Sequence, residues 1–167
     1  MRYLRWLLVV LALMALLGVN HWASARDSRL VAEVYDGDTV RLDDGRVVRL
    51  LGVDAPEVDS PYSKEEPGGA GSRQYLTDLV KGKRVVVRPG REEKDRYGRT
   101  LALVYLGDVL VNGRIIRDGW GRAYLRFDYP DKDLFVMYEK EARARGIGMW
   151  GLPAGAGQGS GRHSEMQ

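Results

Sequence analysis

Residues 36–57 carry the side chains best suited to chemistry. They read Asp36-Gly37-Asp38-Thr39, then Val40-Arg41-Leu42, a turn at Asp43-Asp44-Gly45, and Arg46-Val47-Val48-Arg49-Leu50-Leu51-Gly52-Val53-Asp54-Ala55-Pro56-Glu57. Two apolar-alternating runs separated by Asp-Gly predict a β-hairpin. A hairpin sets the start of one strand beside the end of its partner. Asp38 is therefore expected to meet Asp54 and Glu57 at one end, with Arg49 in reach. Three gathered carboxylates repel one another unless something positive sits among them, and a hard divalent cation held by oxygen is the natural candidate. Taken singly, Asp-Gly-Asp, Asp-Asp-Gly and Asp-Ala-Pro-Glu are ordinary turn and loop sequences. Their order and spacing together point to a site.

What the chain lacks narrows the chemistry. There is no cysteine among the 167 residues, which excludes disulfides, thiolate-bound zinc and a thiol nucleophile. Its two histidines, His21 and His163, lie near the two ends, so the middle offers no histidine base or nucleophile. Carboxylates, tyrosines, arginines and a metal are left to act. The formal net charge is +3, and removing Arg2 and Arg5 with an acid-free leader takes it to +1. Positive charge is instead concentrated in residues 81–99, where Lys81, Lys83, Arg84, Arg88, Arg91, Lys94, Arg96 and Arg99 outnumber Glu92, Glu93 and Asp95.

The set Asp-Gly-Asp-Thr, Arg-Leu-Leu-Gly-Val-Asp-Ala-Pro-Glu and, downstream, Asp95-Arg96-Tyr97-Gly98-Arg99 resembles the staphylococcal nuclease (thermonuclease) family over residues 30–150. The resemblance implies an α+β, mainly β fold: a five-stranded OB-type barrel with three helices. It implies calcium-dependent cleavage of DNA and RNA phosphodiesters by a monomer. Asp38 and Asp54 would supply oxygen ligands to Ca²⁺, joined by the main-chain carbonyl of Ala55, where the family's type member has threonine. Glu57 would be the general base toward water, and Arg49 and Arg99 would flank the phosphate, since guanidinium donors match phosphate oxygens in pairs. Tyr97, with Arg96 next to it, would touch a terminal phosphate. The family's two base-pocket tyrosines fall on Leu125 and Phe127 in a gapless alignment, with Tyr124 and Tyr129 near enough to substitute.

The elements that must position these residues follow from local pattern. Residues 29–35 alternate as a first strand, with Leu30, Ala32 and Val34 on one face. The doublets Val47-Val48 and Leu50-Leu51 suggest strands buried on both faces, as in a small closed barrel. Residues 58–71 read as an exposed loop, and Ser72 as the cap of a helix to Val80 that ends at Gly82. A strand over 83–88 precedes a charged loop over 89–98, in which Gly98 permits a sharp turn that projects Tyr97 and Arg99 together. Residues 100–106 predict a strand and 111–118 a short helix. An aromatic strand and loop follow over 120–129. The last helix, over 133–145, is capped by Asp131 and buries Leu134, Phe135, Tyr138 and Ala142.

Residues 1–25 read as a signal peptide: Arg2 and Arg5 in front, an uncharged run over 6–19, and Ala23-Ser24-Ala25 as a cleavage pattern. The run is short of the ~20 residues of a spanning helix. An uncleaved anchor to the membrane is the alternative, and either way export, secreted or periplasmic, is expected. The nuclease domain is assigned to 28–151 and a disordered tail to 152–167. A non-catalytic nucleic-acid-binding or interaction module on the same barrel is the competing function. A binding-only chain would be free to lose members of the set Asp38, Arg49, Asp54, Glu57 and Arg99, and none is missing.

Overall fold

The computed structural model describes Trp6, residues 28–59 and residues 64–153. The leader and its cleavage pattern, and the tail beyond Pro153, lie outside the described residues apart from Trp6. Among the described residues eight strands and three α-helices follow in order: β1 Ser28–Val34, β2 Thr39–Leu42, β3 Val47–Leu50, β4 Val53–Asp54, α1 Gly69–Val80, β5 Arg84–Lys94, β6 Thr100–Leu106, β7 Val109–Leu110, α2 Val111–Arg117, β8 Arg122–Ala123 and α3 Lys132–Arg145. A 3₁₀ turn, Gly148–Gly151, ends the described chain apart from Leu152 and Pro153.

The main sheet runs β3-β2-β1-β5-β6-β7, and an additional β3–β6 pairing closes it. Five strands thus form the barrel, with β7 a two-residue extension, and the architecture is the expected α+β, mainly β one. All pairings are antiparallel except the closing one, in which Val48 faces Thr100, Arg49 faces Leu101 and Leu50 faces Ala102. Closure removes the free edges of β3 and β6 and explains the apolar doublets: Val48, Leu50 and Leu51 are all buried. Val31, Val40, Leu42, Val85 and Val104 fill the interior with them. Ile115 and Ile116 of α2 and Phe135 of α3 are fully buried in the same core.

Four local expectations need correction. On β1 the buried residues are Val31 and Val34, not Leu30, Ala32 and Val34, because a bulge between Val31 and Glu33 shifts the phase of the strand. Helix α1 starts at Gly69. Gly68 is its N-cap at φ 94°, and Ser72 is buried inside the helix, its hydroxyl donating to the Trp120 carbonyl at 2.5 Å. β5 continues to Lys94 through the stretch expected to be a loop, with a register shift between Pro89 and Lys94. Asp131 precedes α3 but makes no side-chain cap bond, and Leu134 stays on the surface while Phe135 and Ala142 are buried.

Candidate active site

The hairpin brings Asp38 and Arg49 together. Thr39 pairs with Arg49 across β2 and β3, and Leu50 N donates to the Asp38 carbonyl at 2.8 Å. Asp38 and Arg49 therefore lie side by side at one end of the barrel, where Arg49 Nη1 donates to Asp38 Oδ1. Thr39 Oγ1 donates to the same oxygen at 2.9 Å, and Ala55 N donates to Asp38 Oδ2 at 3.1 Å. Arg49 Nη2 reaches the Val53 carbonyl at 3.4 Å and stands 3.9 Å from Asp54 Oδ1. The guanidinium thus lies between the two aspartates. Asp38 is 3% exposed, whereas the Asp54 side chain is 46% exposed.

This packing needs a residue without a side chain at position 37. A Cβ there would fall 1.9 Å from Ser72 Oγ and 2.6 Å from the Ala55 Cβ. Gly37 is what lets the Asp38 loop sit against both α1 and Ala55. The same holds for Glu57. A Cβ on Gly69 would lie 2.0 Å from the Glu57 carbonyl oxygen, and Glu66 N donates to that oxygen at 2.9 Å. The backbone of Glu57 is thereby clamped to the start of α1, while its side chain is exposed.

The electrostatics are set by burial. Desolvation pushes the Asp38 carboxyl up to about 6, against the pull of Arg49 and with a further push from Asp36. For Arg49 burial acts downward, but Asp38 and Asp36 outweigh it and its pKa ends above the ordinary value. Asp36 also accepts from Asp38 N at 2.9 Å, which fixes the loop.

Arg99 stands just before β6, the strand that pairs with β3. Asp95 Oδ2 accepts from Arg99 Nε at 2.7 Å, and Asp95 Oδ1 accepts from the Arg99 and Tyr97 amides. These bonds outweigh the effect of burial and hold the Asp95 carboxyl below its ordinary range. Gly98, at φ 80°, completes the turn. It presents Tyr97, 67% exposed, with the Arg96 guanidinium 4.7 Å and the Arg99 guanidinium 5.4 Å from its ring centre.

One cleft of about 600 Å³ gathers Arg49, Glu57, Arg96, Tyr97, Arg99 and Tyr124, with Asp36, Lys94, Asp95, Arg126 and Phe127 also on its walls. Asp38, Asp54 and Ala55 lie behind Arg49 and Val53 rather than on the lining. Tyr129 is not in the cleft. It is 8% exposed, its ring lies 5.6 Å from Phe135, and burial pushes its hydroxyl up to about 12. Phe127 lines the cleft, its ring 5.0 Å from that of Tyr124, while Leu125 is exposed and not among the lining residues.

The expected meeting of three carboxylates is reduced to two. Among the described residues, no three Asp, Glu, His or Cys side chains are close enough to enclose a metal ion. Arg49 occupies the space between Asp38 and Asp54, and Glu57 stands apart on the cleft wall.

Residues 47–151 match the profile of the family described as staphylococcal nuclease homologue. The chain belongs to that family. It is 38% identical over 131 residues to a thermonuclease of Staphylococcus intermedius, covering 74% of this chain and 76% of that protein. It is 33% identical over 124 residues to a thermonuclease of Staphylococcus hyicus, covering 72% and 73%. A micrococcal nuclease of Shigella flexneri is 33% identical over 157 residues, covering 87% of this chain and 84% of that protein.

Two residues support the site in roles that the motifs do not reveal. Asn112 of α2 is fully buried: its Oδ1 accepts from Val104 N at 2.9 Å, and its Nδ2 donates to the Leu51 and Ala102 carbonyls at 2.8 and 3.1 Å. It pins the chain just past β3, where the backbone turns toward Asp54. The only signal in sequence is a polar residue on the apolar face of a short helix. Asp95 is the other, legible only as the residue before Arg96-Tyr97-Gly98-Arg99.

Proposed function

We propose that this chain is an exported, calcium-dependent nuclease that hydrolyses phosphodiester bonds of DNA and/or RNA. The observation that carries the reading is the single cleft in which Arg49, Glu57, Arg99 and Tyr97 converge, in a member of a family whose relatives are named thermonuclease and micrococcal nuclease. The substrate phosphate would enter between Arg49 and Arg99. Asp95 holds Arg99 through Nε, which would leave the Nη donors for the substrate. Glu57 would take a proton from the attacking water as the new P–O bond forms. The ester oxygen on the opposite side would leave and be protonated. Negative charge grows on the phosphoryl oxygens as this happens, and the two guanidiniums stabilise it most at that point.

The donor types suit a calcium ion, although Arg49 would have to give way between Asp38 and Asp54. Asp38, Asp54 and the Ala55 carbonyl form an all-oxygen set, which suits a hard cation. Asp38 is a buried carboxyl whose pKa stays raised despite Arg49, so an added cation would relieve an existing charge deficit. When bound, the ion would neutralise phosphoryl charge and lower the pKa of a nearby water. Tyr97 and Arg96 would meet a terminal phosphate, and Tyr124 with Phe127 would stack on a base.

Incubation of the purified protein with plasmid DNA and with RNA, in Ca²⁺ and in excess chelator, tests the reading. Cleavage in Ca²⁺ that chelator abolishes, and that Glu57→Gln removes, is the expected result. Binding without cleavage in any divalent ion would instead support the non-catalytic module. Mass spectrometry of protein recovered from the producing cell tests export, with a mature N-terminus at Arg26 expected.

A further inference from the structure

A second groove opens on the far side of Tyr97. It lies between the β2–β3 turn and the β5–β6 turn, has a volume of about 450 Å³, and shares Lys94, Tyr97 and Arg99 with the catalytic cleft. The barrel closure creates it. Parallel pairing of Val48 with Thr100 sets the beginning of β3 beside the beginning of β6, and the Lys94–Thr100 pairing brings the end of β5 to the same place. Arg46, one residue before β3, and Lys94, the last residue of β5, are both exposed there.

The charge of this groove differs from that of the cleft. Its basic residues are Arg46, Lys94 and Arg99, and Asp44 is the one acid among its lining residues. Asp44 pairs with Arg46 at 2.8 Å and also accepts from Arg29 Nε at 3.1 Å. Lys94 has no ion-pair partner among the described residues. Glu57, the proposed base, lines the cleft and not this groove. A groove with excess positive charge and no base aimed into it can hold phosphate but not hydrolyse it. On the ridge between the two stands Tyr97, an exposed ring flanked by guanidiniums, which is the form of a stacking platform for an unpaired base.

We propose that this groove is a subsite for the backbone of a single-stranded nucleic acid continuing past the cleavage position, with Arg46 and Lys94 holding phosphates beyond Tyr97. The proposal rests on the nuclease reading for its substrate class. It makes a long strand a better ligand than a dinucleotide by contacts that take no part in the chemistry.

The test compares the full chain with the Arg46→Gln/Lys94→Gln double variant. Fluorescence anisotropy measures binding of a labelled 12-nucleotide single strand and of a labelled dinucleotide across a salt series in chelator. Cleavage of both is then followed in Ca²⁺. Loss of two phosphate contacts should reduce the slope of log affinity against log salt by about 1.4 for the 12-mer. Its affinity should fall on the order of tenfold, and that of the dinucleotide much less. An unaltered slope, or an equal loss on both ligands, overturns the proposal. If the parent binds the 12-mer in this Lys94- and Arg46-dependent way yet cleaves nothing, the nuclease reading fails and the subsite stands. Normal cleavage with an unaltered slope means the reverse. If the double variant does not fold, Arg46→Gln alone, at a residue outside the cleft lining, serves, with a slope change of about 0.7 and unchanged dinucleotide cleavage.

Discussion

Asp38→Asn should stabilise the metal-free protein at neutral pH, although it removes one partner of a buried ion pair. Two effects compete at this carboxyl. The Arg49 contact favours the charged form, and burial at 3% exposure opposes it. Burial wins, raising the pKa from 3.8 to about 6. An acid with a raised folded-state pKa contributes its stability in full below the unfolded value. That contribution is lost as pH rises through the folded value, because the unfolded chain ionises first. Between pH 4 and pH 6 the group should therefore cost the fold about 3 kcal/mol, the product of the shift and the free energy per pKa unit. On a domain of this size that is a melting-temperature change on the order of 10 °C. The carboxylates held low, Asp44, Asp95 and Asp118, act with the opposite sign and lose their contribution only below about pH 4, so the two windows separate. Urea unfolding of parent and Asp38→Asn from pH 4.5 to 7.5 in chelator measures the effect. The parent should lose stability across that range, and the variant should be flatter and more stable at pH 7. A variant less stable than its parent at pH 7 would show that the Arg49 pair outweighs desolvation and that this account of Asp38 is mistaken.

Glu57→Gln keeps the shape of the side chain but not its basicity, and should lower turnover about 10²–10⁴-fold; binding of a nucleotide by calorimetry should be retained, and turnover within a few-fold of the parent would remove Glu57 from the base role. Arg49→Lys and Arg99→Lys keep the charge and lose the paired donors, so kcat should fall more than substrate affinity in steady-state assays. Asn112→Ala leaves the Val104 amide and the Leu51 carbonyl without their partner in the core, and should cost on the order of 4 kcal/mol in urea unfolding. Cleavage should need Ca²⁺ and gain little from Zn²⁺, since the proposed ligands are all oxygen; undiminished cleavage in excess chelator contradicts this.

What sequence made legible was whatever depends on neighbours along the chain. The Asp-Gly turn and the alternation on either side predicted the hairpin with Arg49 in reach of Asp38, and in the structure Thr39 pairs with Arg49. Gly98 likewise marked the turn that projects Tyr97 beside Arg99. The misjudged features depend on contacts between distant segments. Nothing local distinguishes the end of β5 from a charged loop, because residues 91–94 are exposed and charged; β6 pairs with Pro89 before them and with Lys94 at their end. Tyr129 is as aromatic as Tyr124, and only the arrival of α3, with Phe135 against its ring, takes it out of the cleft and into the core. The gathering of three carboxylates was overestimated for a related reason. Hairpin geometry brings backbone ends together but does not say which side chains turn toward one another, and here Arg49 enters the space between Asp38 and Asp54. The position of that arginine has a consequence for mechanism. A guanidinium that touches Asp38 while lining the cleft joins the buried carboxylate to the place where phosphate would bind, so whatever changes the charge at Asp38 must also change how firmly Arg49 is held toward its substrate.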